Sequence, residues 1–326
     1  MNHPDNFEFR SFAVEPEDFA SHIYDRFSVK PKVLSPRFFY DSRGSELFEQ
    51  ITRLPEYYPT ETEKTILRNC APALNQLIPK PITLIEPGSG NSEKAELLFT
   101  GISEIHRYVP IEISGEHLRE RCINLARQYP NIQFTAIDAD YMDSRILTDQ
   151  QFLPDHSTPV IFFPGSSLGN YKPEEAVDVL KQFHKLTGGN GWLLTGIDLK
   201  KDPTLLEKAY DDEQGVTESF NKNMIRRMRD ELQADISPEN FRHHAHYNSE
   251  KGRVEIYLIS TCNQQLHLNG KSFQLEEDEP ILTEYSHKYS VSEFHDLASM
   301  AGYIPVETFT DASDMFSVHL MRIKSG

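Results

Sequence analysis

Apolar positions along this chain follow two periods, and the switches between them outline the architecture. Helical spacing governs residues 16–27, where Phe19, Ile23 and Phe27 recur, and the same reading covers 46–52, 61–77, 114–128, 173–186, 203–210, 216–232 and 291–301. Short apolar runs at 82–85, 107–113, 132–137, 160–163 and 192–199 fall between the middle helices. Strands alternating with helices in this way build a mostly parallel sheet. From 200 to 280 the rhythm breaks, giving two helices and then alternating runs at 253–260 and 265–275, which reads as an α+β insertion. Gly302 stands as the C-cap of the last helix, and runs at 306–310 and 316–323 close the chain as an antiparallel pair.

The first of the alternating strands breaks into Glu86-Pro87-Gly88-Ser89-Gly90, followed by Asn91 or Ser92 as a helix cap and a helix carrying Lys94. Glycines here let backbone N–H groups crowd a ligand beside a helix N-terminus. The dinucleotide fingerprint G-x-G-x-x-G is absent, because Glu93 stands three places after Gly90. Glu86 ahead of the glycines suits a cationic ligand better than a phosphate, and E-x-G-x-G is the turn found in S-adenosylmethionine (SAM) methyltransferases. Glu112, 22 residues past Gly90 at the end of the second strand, is placed to accept hydrogen bonds from ribose hydroxyls. Asp140 and Tyr141 follow the third strand, where such enzymes hold the adenine amine. The fourth strand opens into Pro164-Gly165-Ser166-Ser167-Leu168-Gly169-Asn170-Tyr171, a small loop without the N/D-P-P-Y/F motif of nucleobase methyltransferases.

A formal net charge of −17 argues against a nucleic-acid partner, since affinity for phosphate backbones needs clustered Lys and Arg. Cys70, Cys122 and Cys262 are scattered and odd in number, which points away from disulfides and toward a reducing cytoplasm. No apolar run reaches the roughly 18 residues of a membrane span, the start MNHPDNFEFRSF lacks a signal-peptide core, and the first few residues read as loose.

Other features divide between chemistry and packing. Tyr57 and Tyr58, held between Pro55 and Pro59, serve equally as a ligand wall or as a seam plug. His243, His244 and His246 lead toward a strand and point in different directions, so no metal is expected. Met224 and Met228 share a helix face and belong to the core. Strand alternation puts Glu284 and Ser286 on one face, within reach of a single ring.

The segments SRGSELFEQITRLPEYYPTETE, IEPGSGNSEK, FFPGSSLGNYKPEEA, GIDLKKDPTLLEKAYDDEQGVTESFN and LTEYSHKYS resemble the SAM-dependent L-histidine Nα-methyltransferases of ergothioneine biosynthesis, from about residue 35 to the C-terminus. The resemblance implies a Rossmann-like α/β methyltransferase sheet (61–196 and 287–326) and a discontinuous α+β substrate domain (1–60 and 197–286) enclosing an amino acid between them. It assigns Gly88, Lys94, Glu112, Asp140 and Tyr141 to SAM, beside Glu86 and Gly90 of the turn, with Tyr40 near donor and acceptor. Glu112 stands where Asp is usual. Tyr57, Gly165, Asn170 and Tyr210 match positions gripping the amino and carboxylate groups, while Glu284 and Ser286 match those bonding the imidazole; Tyr40, Tyr57 and Asn170 are the catalytic candidates. Ile256 replaces a Met of the pocket, which keeps another aromatic amino acid such as tryptophan open as acceptor. The expected protein is a cytoplasmic monomer that uses SAM and no metal on a small-molecule amino acid, away from membranes. A SAM-binding protein without activity is the rival from another class, opposed by the retained Tyr57, Asn170 and Tyr210.

Overall fold

The structure, a computed structural model, describes residues 4–12, 19–148, 152–153, 156–268 and 270–324; expectations for the first three residues and for 16–18 lie outside that set. The chain forms two compact units: Met1–Val14, Glu61–Leu199 and Tyr289–Gly326 in one, Glu15–Thr60 and Lys200–Lys288 in the other.

The first unit is an eight-stranded sheet in the spatial order Phe7–Ser11, Gln133–Asp138, Ile105–Glu112, Ile82–Pro87, Thr158–Phe163, Trp192–Asp198, Phe316–Ile323 and Tyr303–Thr310. The first six run parallel and the last two close the sheet antiparallel. Every residue of Ile82–Pro87 is buried, because helices cover both faces. Alternation then sends Leu84 and Tyr108 into one apolar cluster and Ile85 and Val109 into the other. After Ile82–Pro87 the chain builds outward on one side and returns on the other at Thr158–Phe163, so ligand-bearing loops gather at the carboxyl ends of these two neighbours.

Phe7–Ser11, within the stretch the sequence reading gives to the substrate domain, pairs from Phe7↔Phe134 to Ser11↔Asp138 on the sheet edge. The Asn6 amide pins it by donating to the carbonyls of Ala126 and Ile132 at 3.0 and 2.8 Å.

The second unit contains a four-stranded sheet in the order Lys32–Val33, Pro280–His287, Arg253–Ser260, Phe241–Asn248. The run read as one alternating stretch at 265–275 is a separate hairpin, Gln264–Leu268 and Lys271–Leu275, reversing at Gly270 with φ of +80°. Helix Val216–Leu232 sinks Met224 and Met228 completely into a core with Phe39, Ile51 and Leu258. Helix Ser42–Ile51 starts on Asp41, whose Oδ1 accepts the Gly44 N–H and the Asn223 amide, each at 2.7 Å. Gly44 has no substitute here: a Cβ would fall 1.7 Å from the Phe39 carbonyl oxygen.

Candidate functional site

In the first unit the glycine turn folds as its composition requires, Gly88 and Gly90 having φ of +65° and +49°. A Cβ on Gly88 would sit 3.6 Å from the Tyr141 ring, and the space beside Gly90 is open. Glu112 closes the turn: its carboxylate accepts the Gly90 N–H at 3.2 Å and the Ile113 N–H at 2.8 Å, leaving lone pairs toward solvent. Asp140, exposed beyond the adjacent strand, accepts the Met142 N–H at 2.8 Å. Tyr141 bonds through its hydroxyl to Tyr171 and packs its ring on Phe163 and Phe183; burial pushes its ionisation well up, so it is a neutral surface. A carboxylate beside an open glycine turn, a second carboxylate one strand over and an aromatic edge fit an adenosine with its ribose hydroxyls and exocyclic amine.

Glu86 ends the apolar part of the strand just before the turn. It is 2% exposed, receives the Tyr108 hydroxyl, and burial raises its pKa to about 8 against the partial relief from Tyr108 and Lys94. Ser92 occupies the N-cap position of helix Glu93–Gly101 but makes no cap, because its left-handed backbone (φ 56°) turns the hydroxyl to Tyr108 at 3.0 Å. Asn91 takes the capping role through its Oδ1, accepting the Glu93 N–H at 3.3 Å.

Lys94 reaches Glu63 at 2.5 Å, a partner the sequence reading missed. Glu63, 1% exposed on helix Pro59–Leu77, also accepts the Gly165 N–H at 2.9 Å. The pair fits only because Gly196 is bare: a Cβ there would lie 1.9 Å from Glu63 Oε1. Gly165 (φ +81°) sits 3.5 Å from Lys94 Nζ by its missing Cβ, and Asn170 ends the Ser167–Asn170 turn exposed, its amide without a partner among the described residues.

The remaining candidates belong to the second unit. Tyr40 is 44% exposed and rests edge-on against Phe48 and Phe220. Tyr57 and Tyr210 meet edge to face at 6.0 Å. Tyr210, the last residue of helix Pro203–Tyr210, bonds its hydroxyl to that of Ser286 at 2.8 Å, although the sequence reading assigned these two to opposite ends of the acceptor. Glu284 lies directly across the sheet from Ile256, just past a bulge where the Thr283 hydroxyl donates to the Ile256 carbonyl at 3.0 Å. Ile256 is buried with Leu206, Ala245 and Val254 as an apolar wall. Burial lifts the Glu284 carboxyl to about 7, opposed by the charge of Lys288. Lys288, 1% exposed and also missed, donates to both Tyr210 and Ser286 at 2.8 Å. The same alternation that links Glu284 to Ser286 would have found it two residues on.

The three histidines are occupied separately. His243 Nε2–H donates to the Tyr210 carbonyl at 2.7 Å while Nδ1 accepts from Asn221 at 2.8 Å, and burial keeps the ring neutral. His246 bonds Glu207 at 3.1 Å, with His244 parallel to it 6.3 Å away. Among the described residues no three His, Cys, Asp or Glu side chains converge as a metal site, and no helix is long and apolar enough to cross a membrane.

The chain is similar to known proteins over nearly its whole length. The family described as histidine-specific, SAM-dependent methyltransferases matches residues 19–323. The histidine N-alpha-methyltransferase of Mycobacterium tuberculosis is 33% identical over 303 residues, covering 91% of this chain and 92% of that protein. Its counterpart from Mycolicibacterium smegmatis is 34% identical over 300 residues, covering 90% and 91%. Ergothioneine biosynthesis protein 1 of Neurospora crassa is 30% identical over 327 residues, covering 97% of this chain but 36% of the longer fungal protein. The glycine turn, its carboxylates and the sheet that carries them thus belong to an enzyme of the histidine-specific, SAM-dependent methyltransferase family.

Proposed function

We propose that the chain methylates the α-amino nitrogen of L-histidine three times, giving Nα,Nα,Nα-trimethylhistidine, the betaine of ergothioneine biosynthesis. The observation that carries this reading is the second-unit cluster in which Glu284 and Ser286 share a strand face opposite apolar Ile256. A carboxylate and a hydroxyl over an apolar wall suit a flat ring that has both an N–H and a lone-pair nitrogen.

When bound, SAM supplies a methyl on a sulfonium. Before each transfer the cationic nitrogen gives a proton to solvent; the nitrogen–carbon bond then forms as the carbon–sulfur bond breaks, the sulfur leaves as a neutral thioether, and after the third transfer the quaternary nitrogen has no proton left. The residues orient rather than activate. In the first unit Glu112 is assigned to the ribose, Asp140 to the adenine amine, Lys94 to the donor's carboxylate and Glu86 to its cationic end; Gly165 and the unpartnered Asn170 amide serve an amino acid's main-chain end. In the second, the rings of Tyr40, Tyr57 and Tyr210 suit a nitrogen that loses N–H donors with each methyl, since a quaternary ammonium against a ring gains about 0.5–2 kcal/mol. Free thiols at Cys70, Cys122 and Cys262 accord with a cytoplasmic enzyme, which we take to act as a monomer.

Mass spectrometry after incubating SAM with a panel of free amino acids tests the reading. Trimethylated histidine as the main product is expected. Preferential methylation of tryptophan, which the Ile256 wall accommodates, would establish the second reading.

A further inference from the structure

Tyr210, Ser286 and Lys288 form a triangle whose three edges are each 2.8 Å. Its corners are fixed from behind. The Tyr210 carbonyl is held by His243 at 2.7 Å, and the Lys288 N–H donates to the Gly252 carbonyl at 2.8 Å. An ammonium has donors only, so both hydroxyl oxygens accept from Lys288. The third edge allows either hydroxyl to donate, and its assignment follows from acidity: the phenol is the stronger donor and the alkyl hydroxyl the better acceptor, so Tyr210 is assigned as donor to Ser286. Both lone pairs of Ser286 are then filled. Its single hydrogen has no acceptor among the described residues, although the side chain is 3% exposed.

We infer that Lys288 is a positioning residue that fixes Ser286 as an outward donor, so that Glu284 and Ser286 together read a ring bearing one N–H and one lone-pair nitrogen. This rests on the ring assignment of Glu284 and Ser286 proposed above. Without Lys288 the Ser286 hydroxyl can rotate inward or accept, and the pair no longer demands a ring acceptor. Lys288 touches neither reacting atom; it acts on specificity through Ser286.

The test compares kcat and KM for histidine and for 3-(pyrrol-2-yl)alanine, which keeps a ring N–H but has no ring acceptor. Wild type should favour histidine strongly in kcat/KM. Ser286→Ala should cut that preference by about tenfold, mainly through the histidine KM, and Lys288→Met should do the same. The double variant should lose no more than either single one. Lys288→Arg, with donors only, should retain the preference. Lys288→Gln, which offers an acceptor to the serine hydroxyl, should lose it and stands in should the Met variant fail to fold. An undiminished preference in folded Lys288→Met or Lys288→Gln, or losses that multiply in the double variant, overturns the role of Lys288. If Ser286→Ala leaves the preference intact, the ring assignment itself is wrong and the inference goes with it.

Discussion

Lys94 and Glu63 form an ion pair at 2.5 Å in which the carboxylate is 1% exposed and also holds the N–H of Gly165. The lysine of the glycine-turn helix and the loop after strand Thr158–Phe163 are thereby tied through one buried group from a third element. Removing one partner of such a pair strands the other and costs far more than the pair contributes in net terms.

Glu63→Ala should accordingly lower unfolding stability by about 3 kcal/mol, a little moderated by the solvent access Lys94 retains. Glu63→Gln, which can still accept the Gly165 N–H, should lose less. Chemical denaturation of the three proteins decides it: equal stability would mean that the pair is already neutralised by solvent.

On the proposed ribose assignment, Glu112→Ala should weaken SAM binding by about 1–3 kcal/mol, the cost of leaving two hydroxyl donors without their acceptor. The ratio of activities on different amino acids should not move. Titration calorimetry with SAM is the check, and undiminished affinity would remove Glu112 from the ribose.

Glu284→Ala should lower histidine turnover by on the order of a hundredfold, equivalent to about 2.7 kcal/mol of transition-state binding. A site built around a charge-assisted bond rejects ligands lacking the donor better than an apolar slot does, so phenylalanine or tryptophan methylation should become measurable. Rates taken at pH 8, above the raised value near 7 for this carboxyl, compare an ionised Glu284 with its absence. An unchanged order of preference among the three amino acids would show that Glu284 does not read the ring.

Glu86 carries a pH signature. Its pKa is about 8 in the fold, chiefly through burial, against an ordinary 4.5. The folded state therefore holds a proton that the unfolded chain has released between those values, and stability present below about pH 4.5 is lost as pH rises through 8. A cation bound beside the carboxyl favours its ionised form. SAM binding at pH 7 should thus release about one more proton in wild type than in Glu86→Gln, a difference that fades by pH 9. Calorimetry in two buffers of unlike ionisation heat measures this, and equal proton release by the two proteins would separate Glu86 from the donor.

What was legible in the sequence was whatever a local period records. Ile82–Pro87, its glycine turn and the strands after it stand out because a buried parallel strand is a short apolar run bounded by turn residues. Phe7–Ser11 did not, since five residues of mixed polarity become a strand only by pairing with Gln133–Asp138, more than a hundred residues away. Ser92 has the composition of a cap, but its backbone is left-handed and Tyr108 captures its hydroxyl. Glu63 reads as an ordinary polar position of helix Pro59–Leu77, and only the absent side chain of Gly196 makes room for it. In the second unit alternation paired Glu284 with Ser286 but gave no sign that Tyr210, arriving from a helix 76 residues earlier, would bond to the serine.

Leu199 and Tyr289 form a parallel bridge, and the Tyr289 N–H donates to the Asp198 carbonyl at 3.3 Å. The chain therefore leaves the sheet and rejoins it at adjacent points, like a loop pinned at its neck. An exit and a return so close together need only a short splice to be joined. Insertions, deletions and fused passengers placed between Lys200 and Lys288 can then vary in length without changing the register of Trp192–Asp198 against Phe316–Ile323. The segment from Lys200 to Lys288 is thus spliced into the first unit at a single neck, so its length and content are uncoupled from the register of the sheet that it interrupts.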